Sequence, residues 1–288
     1  MAESAREQSY QGDFVYERSG SFSTHRVWRQ AEGEVVERLL RTDGILQEWV
    51  RRDGQLQCTS VPNAAIGWPA NTLIGAKSRA LDQWYSLQVL GVSRVANRAV
   101  TVVAVKPRDA FRYAYELYLD IDSGLLLQSL MINGQGALLE RFQFTTVDLG
   151  PVATKRLGAT ASCLAVSAEA SEAVTDDRWL PAWLPPGFSP VRREMRQLHG
   201  DDKATLTQVF TDGLSRFTVF VEPLAENQTA DDLRAQLGPT VAISRRLQRP
   251  DGRYLATVVG EVPPLAAERV AASLSMDFDP DAVIETAP

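Results

Sequence analysis

Four turn dipeptides in the first half of the chain, Asp43-Gly44, Asp53-Gly54, Ser123-Gly124 and Asn133-Gly134, constrain the fold more than any other feature. Such pairs adopt the positive φ values that tight hairpin turns demand, and here each separates short segments in which apolar and polar residues alternate. From Gln11 to about Val147 the chain therefore reads as consecutive antiparallel hairpins. Phe111, Tyr113, Tyr115, Leu117 and Leu119 share one strand face, and Arg112, Ala114, Glu116, Tyr118 and Asp120 share the other. Period-two stretches at Asp13–Tyr16, Arg26–Gln30, Thr101–Val105 and Arg141–Thr145 predict a single curved sheet of many strands, with the interruption from Pro62 to Tyr85 covering one side.

A length of 288 residues exceeds one ordinary hydrophobic core. The expected division is a first domain over 1–149, a linker over 150–177, a second domain over 178–280 and a tail over 281–288. The linker is marked by a shift to Ala, Ser, Thr and Glu without a period. The second domain opens with Trp179-Leu-Pro-Ala-Trp183-Leu-Pro-Pro-Gly-Phe188, whose prolines forbid a regular central strand and whose aromatics need burial or a partner. Strands are expected at Val191–Gln197, Thr205–Thr211 and Arg216–Glu222, then a hairpin of Val241–Leu247 and Tyr254–Val259 about Asp251-Gly252. Thr229 followed by Ala-Asp-Asp232 reads as a helix cap with acids in the first turn, predicting a helix over Ala230–Leu237. Pro264 suits the first turn of a last helix reaching about Leu274. The fold class is thus mainly β with α+β character: a large antiparallel sheet, then a smaller one with two helices.

The charge of -6 gives no field for attracting phosphate backbones, so no nucleic-acid partner is expected. No stretch approaches the roughly 18 apolar residues of a membrane span, and Met1-Ala-Glu-Ser-Ala-Arg6 lacks the layout of a signal peptide. His25 and His199 read as exposed side chains, and Asp120-Ile-Asp122, Asp201-Asp202 and Asp277-Phe-Asp279 as solvated turn acids. Gly134-Gln-Gly136 lacks the third glycine of a phosphate loop, and no GxSxG, HExxH or GxxxxGK[ST] pattern occurs. No cofactor, metal or catalytic residue is expected, and the chain reads as a binding protein. Cys58 and Cys163 are the two cysteines, open at this point to reading as buried thiols or as one long-range disulfide. The sheet is rich in Phe14, Tyr16, Trp28, Trp84, Tyr113, Tyr115, Phe142 and Phe144. These could form an ordinary core or line a concave apolar groove for acyl chains.

Ordered fragments along the chain resemble the MucB/RseB periplasmic regulators of the envelope-stress sigma factor. The first set is Phe14-Val-Tyr-Glu-Arg18, Gly20-Ser-Phe-Ser-Thr-His25, Ser93-Arg-Val-Ala-Asn-Arg98, Pro107-Arg-Asp109 and Leu138-Leu-Glu-Arg-Phe-Gln-Phe-Thr145. The second is Trp183-Leu-Pro-Pro-Gly-Phe188, Asp212-Gly-Leu214 with Phe217, Leu237-Gly-Pro-Thr-Val241 and Val258-Val-Gly-Glu-Val-Pro263. The resemblance implies a first domain like the LolA/LolB lipoprotein carriers, an unclosed β-barrel with a helical plug. It implies export to the periplasm, binding to the periplasmic region of a MucA/RseA-type anti-sigma factor, protection of that factor from regulated proteolysis, and release by lipopolysaccharide or another acyl lipid. A homo-oligomer is compatible with it. The family pattern places a signal peptide and most of an initial helix ahead of Ser9-Tyr-Gln-Gly12, which residues 1–8 do not match. The resemblance also implies a Cys58–Cys163 disulfide tying the linker to the first domain.

The expected lipid-binding residues are Trp28, Trp84, Tyr113, Tyr115, Phe142 and Phe144, and the expected partner anchors are Trp179, Trp183, Leu184 and Phe188. The competing expectation is a lipid or lipoprotein carrier of LolA/LolB type, which needs the groove and no regulatory partner.

Overall fold

The computed structural model describes residues 8–61, 81–166, 171–173, 179–197, 204–225 and 231–274. It divides into two compact units: Met1–Ser78 with Ser86–Lys106 and Ala114–Ala168, and Arg79–Tyr85 with Pro107–Tyr113 and Glu169–Pro288. Two short pieces of the N-terminal half thus belong to the second unit.

The first unit is built on an 11-stranded antiparallel sheet. Its strands are β1 (Tyr10–Arg18), β2 (Ser21–Gln30), β3 (Val36–Arg41), β4 (Gln47–Arg52), β5 (Gln55–Thr59), β6 (Tyr85–Val95), β7 (Arg98–Pro107), β8 (Ala114–Asp120), β9 (Leu126–Ile132), β10 (Leu138–Leu149) and β11 (Leu164–Ala165). The order β11-β5-β4-β3-β2-β1-β10-β9-β8-β7-β6 brings β1 against β10 and puts β11 and β6 at its two ends, so that among the described residues the sheet does not close. The hairpin logic is visible in the backbone: Asp53 and Gly54 have φ of 47° and 79°, and Ala96 and Asn97 of 48° and 60°, the signs a type I′ turn requires.

Phe111 and Tyr113 do not lie on a strand, contrary to the alternation in the sequence, because β8 starts only at Ala114. The Asp109 carboxylate accepts the Phe111 N–H at 3.0 Å, turning the chain out of the ladder there.

Within the first unit the segment after β10 is pinned to the sheet. A first helical turn, α1 (Leu81–Trp84), belongs to the second unit, and the segment after β10 carries another, α2 (Thr154–Leu157). Glu48 is fully buried and accepts from Arg38 Nε at 2.7 Å and from the Thr160 N–H at 3.2 Å. Arg38 also donates to the Arg156 carbonyl at 2.9 Å. Nearby, Cys58 and Cys163 form a disulfide with Cα atoms 5.4 Å apart, inside a small apolar cluster with Val36, Val50 and Leu157. This decides between the two readings that composition left open.

The second unit holds a seven-stranded antiparallel sheet, order β12-β13-β14-β15-β18-β17-β16. The strands are β12 (Ser171–Ala173), β13 (Ser189–Gln197), β14 (Ala204–Thr211), β15 (Arg216–Pro223), β16 (Leu233–Leu237), β17 (Thr240–Arg249) and β18 (Gly252–Gly260), followed by helix α3 (Pro264–Ser273). Pro264 stands at the start of α3 as expected. The core gathers Phe210, Phe217, Val219, Val241, Val258 and the α3 residues Ala266, Ala267, Val270 and Ala271.

The helix expected over Ala230–Leu237 is corrected to strand β16, which pairs with β17 from Leu233↔Ser244 to Leu237↔Thr240. Gly238, with φ 57°, opens a two-residue turn with Pro239, the positive first position that a type II′ hairpin needs. The expected cap, Thr229, lies outside the described residues, and Asp232, expected as an acid of the first helical turn, instead accepts the Arg246 N–H of β17 at 3.0 Å.

The disulfide closes a separation of 105 residues, for which chain entropy gives about 4 to 5 kcal/mol, an upper figure. A Cys58→Ser, Cys163→Ser double variant is expected to lose about 2 to 5 kcal/mol in denaturant melts. Stability equal to wild type would contradict this.

Candidate functional site

The Trp179–Phe188 segment is shaped by its prolines. The Phe188 N–H donates to the Pro185 carbonyl at 3.1 Å, and Gly187 takes φ 84°, the position of a type II turn that calls for glycine. A Cβ on Gly187 would lie 2.2 Å from Nε1 of Trp84, so the indole rests directly on this turn.

Beneath it sits Arg112, whose side chain is wholly buried. Its Nε donates to Asp212 at 2.6 Å, and its terminal nitrogens donate to the Asp109 carboxylate and the Pro186 carbonyl. The guanidinium lies over Trp84, Tyr85 and Phe188 at 5.4, 5.7 and 5.1 Å from the ring centres. Asp212, equally buried, also accepts the Tyr85 hydroxyl at 2.9 Å and the N–H groups of Leu214 and Ser215 at 2.9 and 2.7 Å. Burial, then the Asp212 carboxylate, push the Tyr85 hydroxyl well up, which keeps it a donor. Sequence reasoning missed this cluster. Asp212-Gly213 reads as a turn, and nothing local tells that its acid meets an arginine 100 residues away.

The four expected anchors all lie in this unit, in different environments. Phe188 is core, 5.2 Å from the ring of Phe217. Trp179 is half-buried, 4.6 Å from Tyr254 with Arg249 over its face at 4.9 Å. Trp183 is half-buried between Phe111 at 5.0 Å and Arg269 at 4.4 Å, and Leu184 beside it is also partly exposed. Arg249 and Arg269 are partners that the sequence does not announce.

The six expected lipid-binding residues fall into separate places. Phe142 and Phe144 stand 5.2 Å apart in an aromatic cluster with Phe14 and Tyr10, all buried. Tyr115 is buried on β8, opposite Met131. Trp28 pairs with Gln11 and Arg38, while Val27 next to it joins the aromatic cluster, so the indole faces the other side of the sheet. There the Arg38 guanidinium covers it at 4.9 Å, and with Gln11, Asp13, Arg26, Thr146, Asp148 and Arg156 it lines a polar cavity of about 230 Å³. Trp84 and Tyr113 belong to the second unit. The Tyr113 hydroxyl is buried without a hydrogen-bond partner among the described residues, and burial raises its pKa to about 12.

Two expectations about charged and polar groups are corrected in the first unit, while His199 and the acidic pairs at 201–202 and 277–279 lie outside the described residues. His25 is not exposed: it is 4% accessible, stacked 5.1 Å from Phe14, with Nε2 2.9 Å from the Ser23 hydroxyl. Its position opposite Phe14 in the ladder turns it inward. Asp120 is also buried rather than solvated, since it accepts from Arg98 and from the N–H groups of Asp122 and Ser123 at 3.0 and 3.1 Å. Burial pushes the His25 imidazole down to about 4 from its ordinary 6.5. Between those values the unfolded chain takes up a proton that the native one refuses, so stability falls as pH drops through the window. A His25→Phe variant, which keeps the stack on Phe14, should show a smaller loss of melting temperature between about pH 7 and pH 4.5 than wild type. Equal losses would contradict the assignment.

Both compact units match known proteins. The family model for the MucB/RseB N-terminal domain matches residues 1–174, and that for the MucB/RseB C-terminal domain matches residues 173–275. The sigma factor AlgU regulatory protein MucB of Pseudomonas aeruginosa is 47% identical over 285 residues, covering 95% of this chain and 88% of that one. The sigma-E factor regulatory protein RseB of Escherichia coli is 28% identical over 247 residues, 82% of this chain and 76% of that one. The solved complex of Pseudomonas aeruginosa MucA/MucB superposes with a TM-score of 0.78 at 46% identity, covering 94% of each chain, and a crystal structure of MucB gives 0.73 over the same shares. With two consecutive domain models matched and a relative this similar across its length, the chain belongs to the MucB/RseB family.

Proposed function

We propose that this chain is a periplasmic regulatory binding protein. It holds the periplasmic region of a MucA/RseA-type anti-sigma factor, shields it from regulated proteolysis, and lets go when lipopolysaccharide or another acyl lipid binds. The observation that carries this reading is the likeness, over 94% of both chains, to a MucB solved together with MucA. It acts by binding rather than catalysis. A lipid or lipoprotein carrier would need only the larger sheet, whereas the matched second domain at residues 173–275 favours the regulator.

The physical chemistry of the second unit supports a peptide-binding role. Large aromatics supply most binding hot spots, and a segment already fixed by prolines loses little entropy on binding. Trp179, Trp183 and Leu184 are partly exposed on such a segment, and Phe188 anchors it from below. For the lipid, Phe142, Phe144 and Tyr115 are the proposed contacts, all within the first unit.

If lipid weakens the hold on the peptide, then the peptide must weaken the hold on lipid by the same factor. The test measures the affinity of the periplasmic segment of a MucA-type protein for wild type and for Trp183→Ala, with and without lipopolysaccharide, after circular dichroism has established that the variant is folded. The expected result is binding by wild type, a loss of about tenfold or more in the variant as a hot spot implies, and reciprocal weakening by lipid. Absence of binding by wild type would sink the regulatory reading, and fully independent binding of lipid and peptide would sink the switch.

A further inference from the structure

The face of the larger sheet opposite its aromatic core carries a site of a different kind. Along β1 the rings of Tyr10 and Phe14 pack into that core, so Gln11 and Asp13 stand on the opposite face. On β10, Phe142 and Phe144 point into the core, and strict alternation would carry Thr146 and Asp148 inward after them. The register slips between them: Asp13 pairs with Thr146 but Phe14 with Phe144, which leaves Thr145 as an extra residue. This bulge turns Thr146 and Asp148 to the other face, beside Asp13 and Gln11. Gly12 permits the close approach of the two strands, since a Cβ there would lie 2.3 Å from the Thr146 carbonyl oxygen.

Two kinds of side chain line the cavity of about 230 Å³ on this face. Three are engaged with one another: Arg26 donates to both Asp13 oxygens at 2.6 and 2.8 Å, and the Thr146 hydroxyl donates to the same carboxylate at 3.1 Å. The others are Gln11, Trp28, Asp148 and Arg156, the last brought by α2, whose Arg156 carbonyl accepts from Arg38 of β3. Their amide, indole N–H, carboxylate and guanidinium make no hydrogen bond or ion pair among the described residues. Polar groups left so are met by water or by a ligand. The formal charges of the lining cancel, Arg26 and Arg156 against Asp13 and Asp148, which disfavours a phosphate or another multiply charged ligand. Donors and acceptors both stand unused, which suits hydroxyls, since each can donate and accept. The indole adds an apolar surface for the C–H face of a ring. A volume below the roughly 300 Å³ at which sites for drug-sized ligands begin leaves room for one ring and not for a chain.

We propose that this cavity binds one uncharged sugar ring, with Gln11, Trp28, Asp148 and Arg156 as the partners of its hydroxyls. The ring belongs to a soluble saccharide or to the head of a neutral glycolipid. The site does not depend on the regulatory reading, and it lies on the face of the sheet opposite the acyl contacts Phe142 and Phe144.

The test uses the full chain as wild type, as an Asp148→Ala, Arg156→Ala double variant, and as Lys155→Ala, a control on the same helical turn. The probes are glucose, galactose, mannose and N-acetylglucosamine, then phosphatidylcholine vesicles with and without monogalactosyl diacylglycerol, with alanine and inorganic phosphate as charged alternatives. Binding is read by titration and by the Trp28 indole N–H resonance, assigned through its loss in Trp28→Phe. Expected are binding of a sugar probe, a shift of that resonance, an unchanged control, and affinity at least about tenfold weaker in the double variant, as loss of hydrogen bonds to charged groups implies. Binding of a free sugar identifies a soluble saccharide, and binding confined to the galactolipid vesicles identifies a glycolipid head. Failure of every sugar probe overturns the inference, as does equal affinity in wild type and double variant, or tighter binding of alanine or phosphate than of any sugar. A Trp28 resonance unmoved by sugar in wild type overturns it whether or not the double variant folds.

Discussion

The second unit depends on a guanidinium with no access to water. Arg112 can lose its hydration because Asp109, Asp212 and the Pro186 carbonyl take its donors, and because three ring faces surround its plane. Removing one partner from such a pair leaves an uncompensated buried charge and costs about 3 to 5 kcal/mol. Four stretches of chain meet at this cluster: Trp84–Tyr85, Asp109–Arg112, Pro185–Phe188 and Asp212–Ser215. The geometry of the proline segment is therefore set from beneath, and Trp183 is presented by a scaffold rather than by a free loop.

In the first unit the equivalent constraint is backbone satisfaction. An antiparallel sheet that does not close must leave two edges. Glu48 and the disulfide fasten the chain after β10 against one side, where β11 is too short to recruit another strand. No such device covers β6 among the described residues.

Much of this was legible in the sequence, because alternation and Asp-Gly pairs act locally. The hairpin about Asp53-Gly54, the strands β13, β14, β15, β17 and β18 of the second sheet and the Pro264 helix all follow from neighbours in the chain. The failures are of one kind. Thr229-Ala-Asp-Asp232 has the composition of a helix cap, yet the N–H that Asp232 accepts comes from Arg246, 14 residues on. His25 reads as a polar residue in a half-wet strand, but the ring of Phe14 opposite makes its side of β2 the inner one. Arg112 and Asp212 find each other only in three dimensions. The aromatics foreseen as one groove include Trp84 and Tyr113, which sit on two separate pieces of the N-terminal half that belong to the second unit. Spacing in the sequence could not separate them from Phe142 and Phe144.

The central claim is that this chain controls the lifetime of an anti-sigma factor by covering it. The measurement that bears on it most directly is the rate at which a site-specific stress protease cuts the periplasmic region of a MucA-type protein, alone, with this chain in excess, and with this chain plus lipopolysaccharide. The account predicts that the chain slows cleavage by about the factor by which it depletes free substrate, and that lipopolysaccharide restores the rate. Cleavage at the same rate with and without the chain, under conditions where the complex is formed, would contradict it.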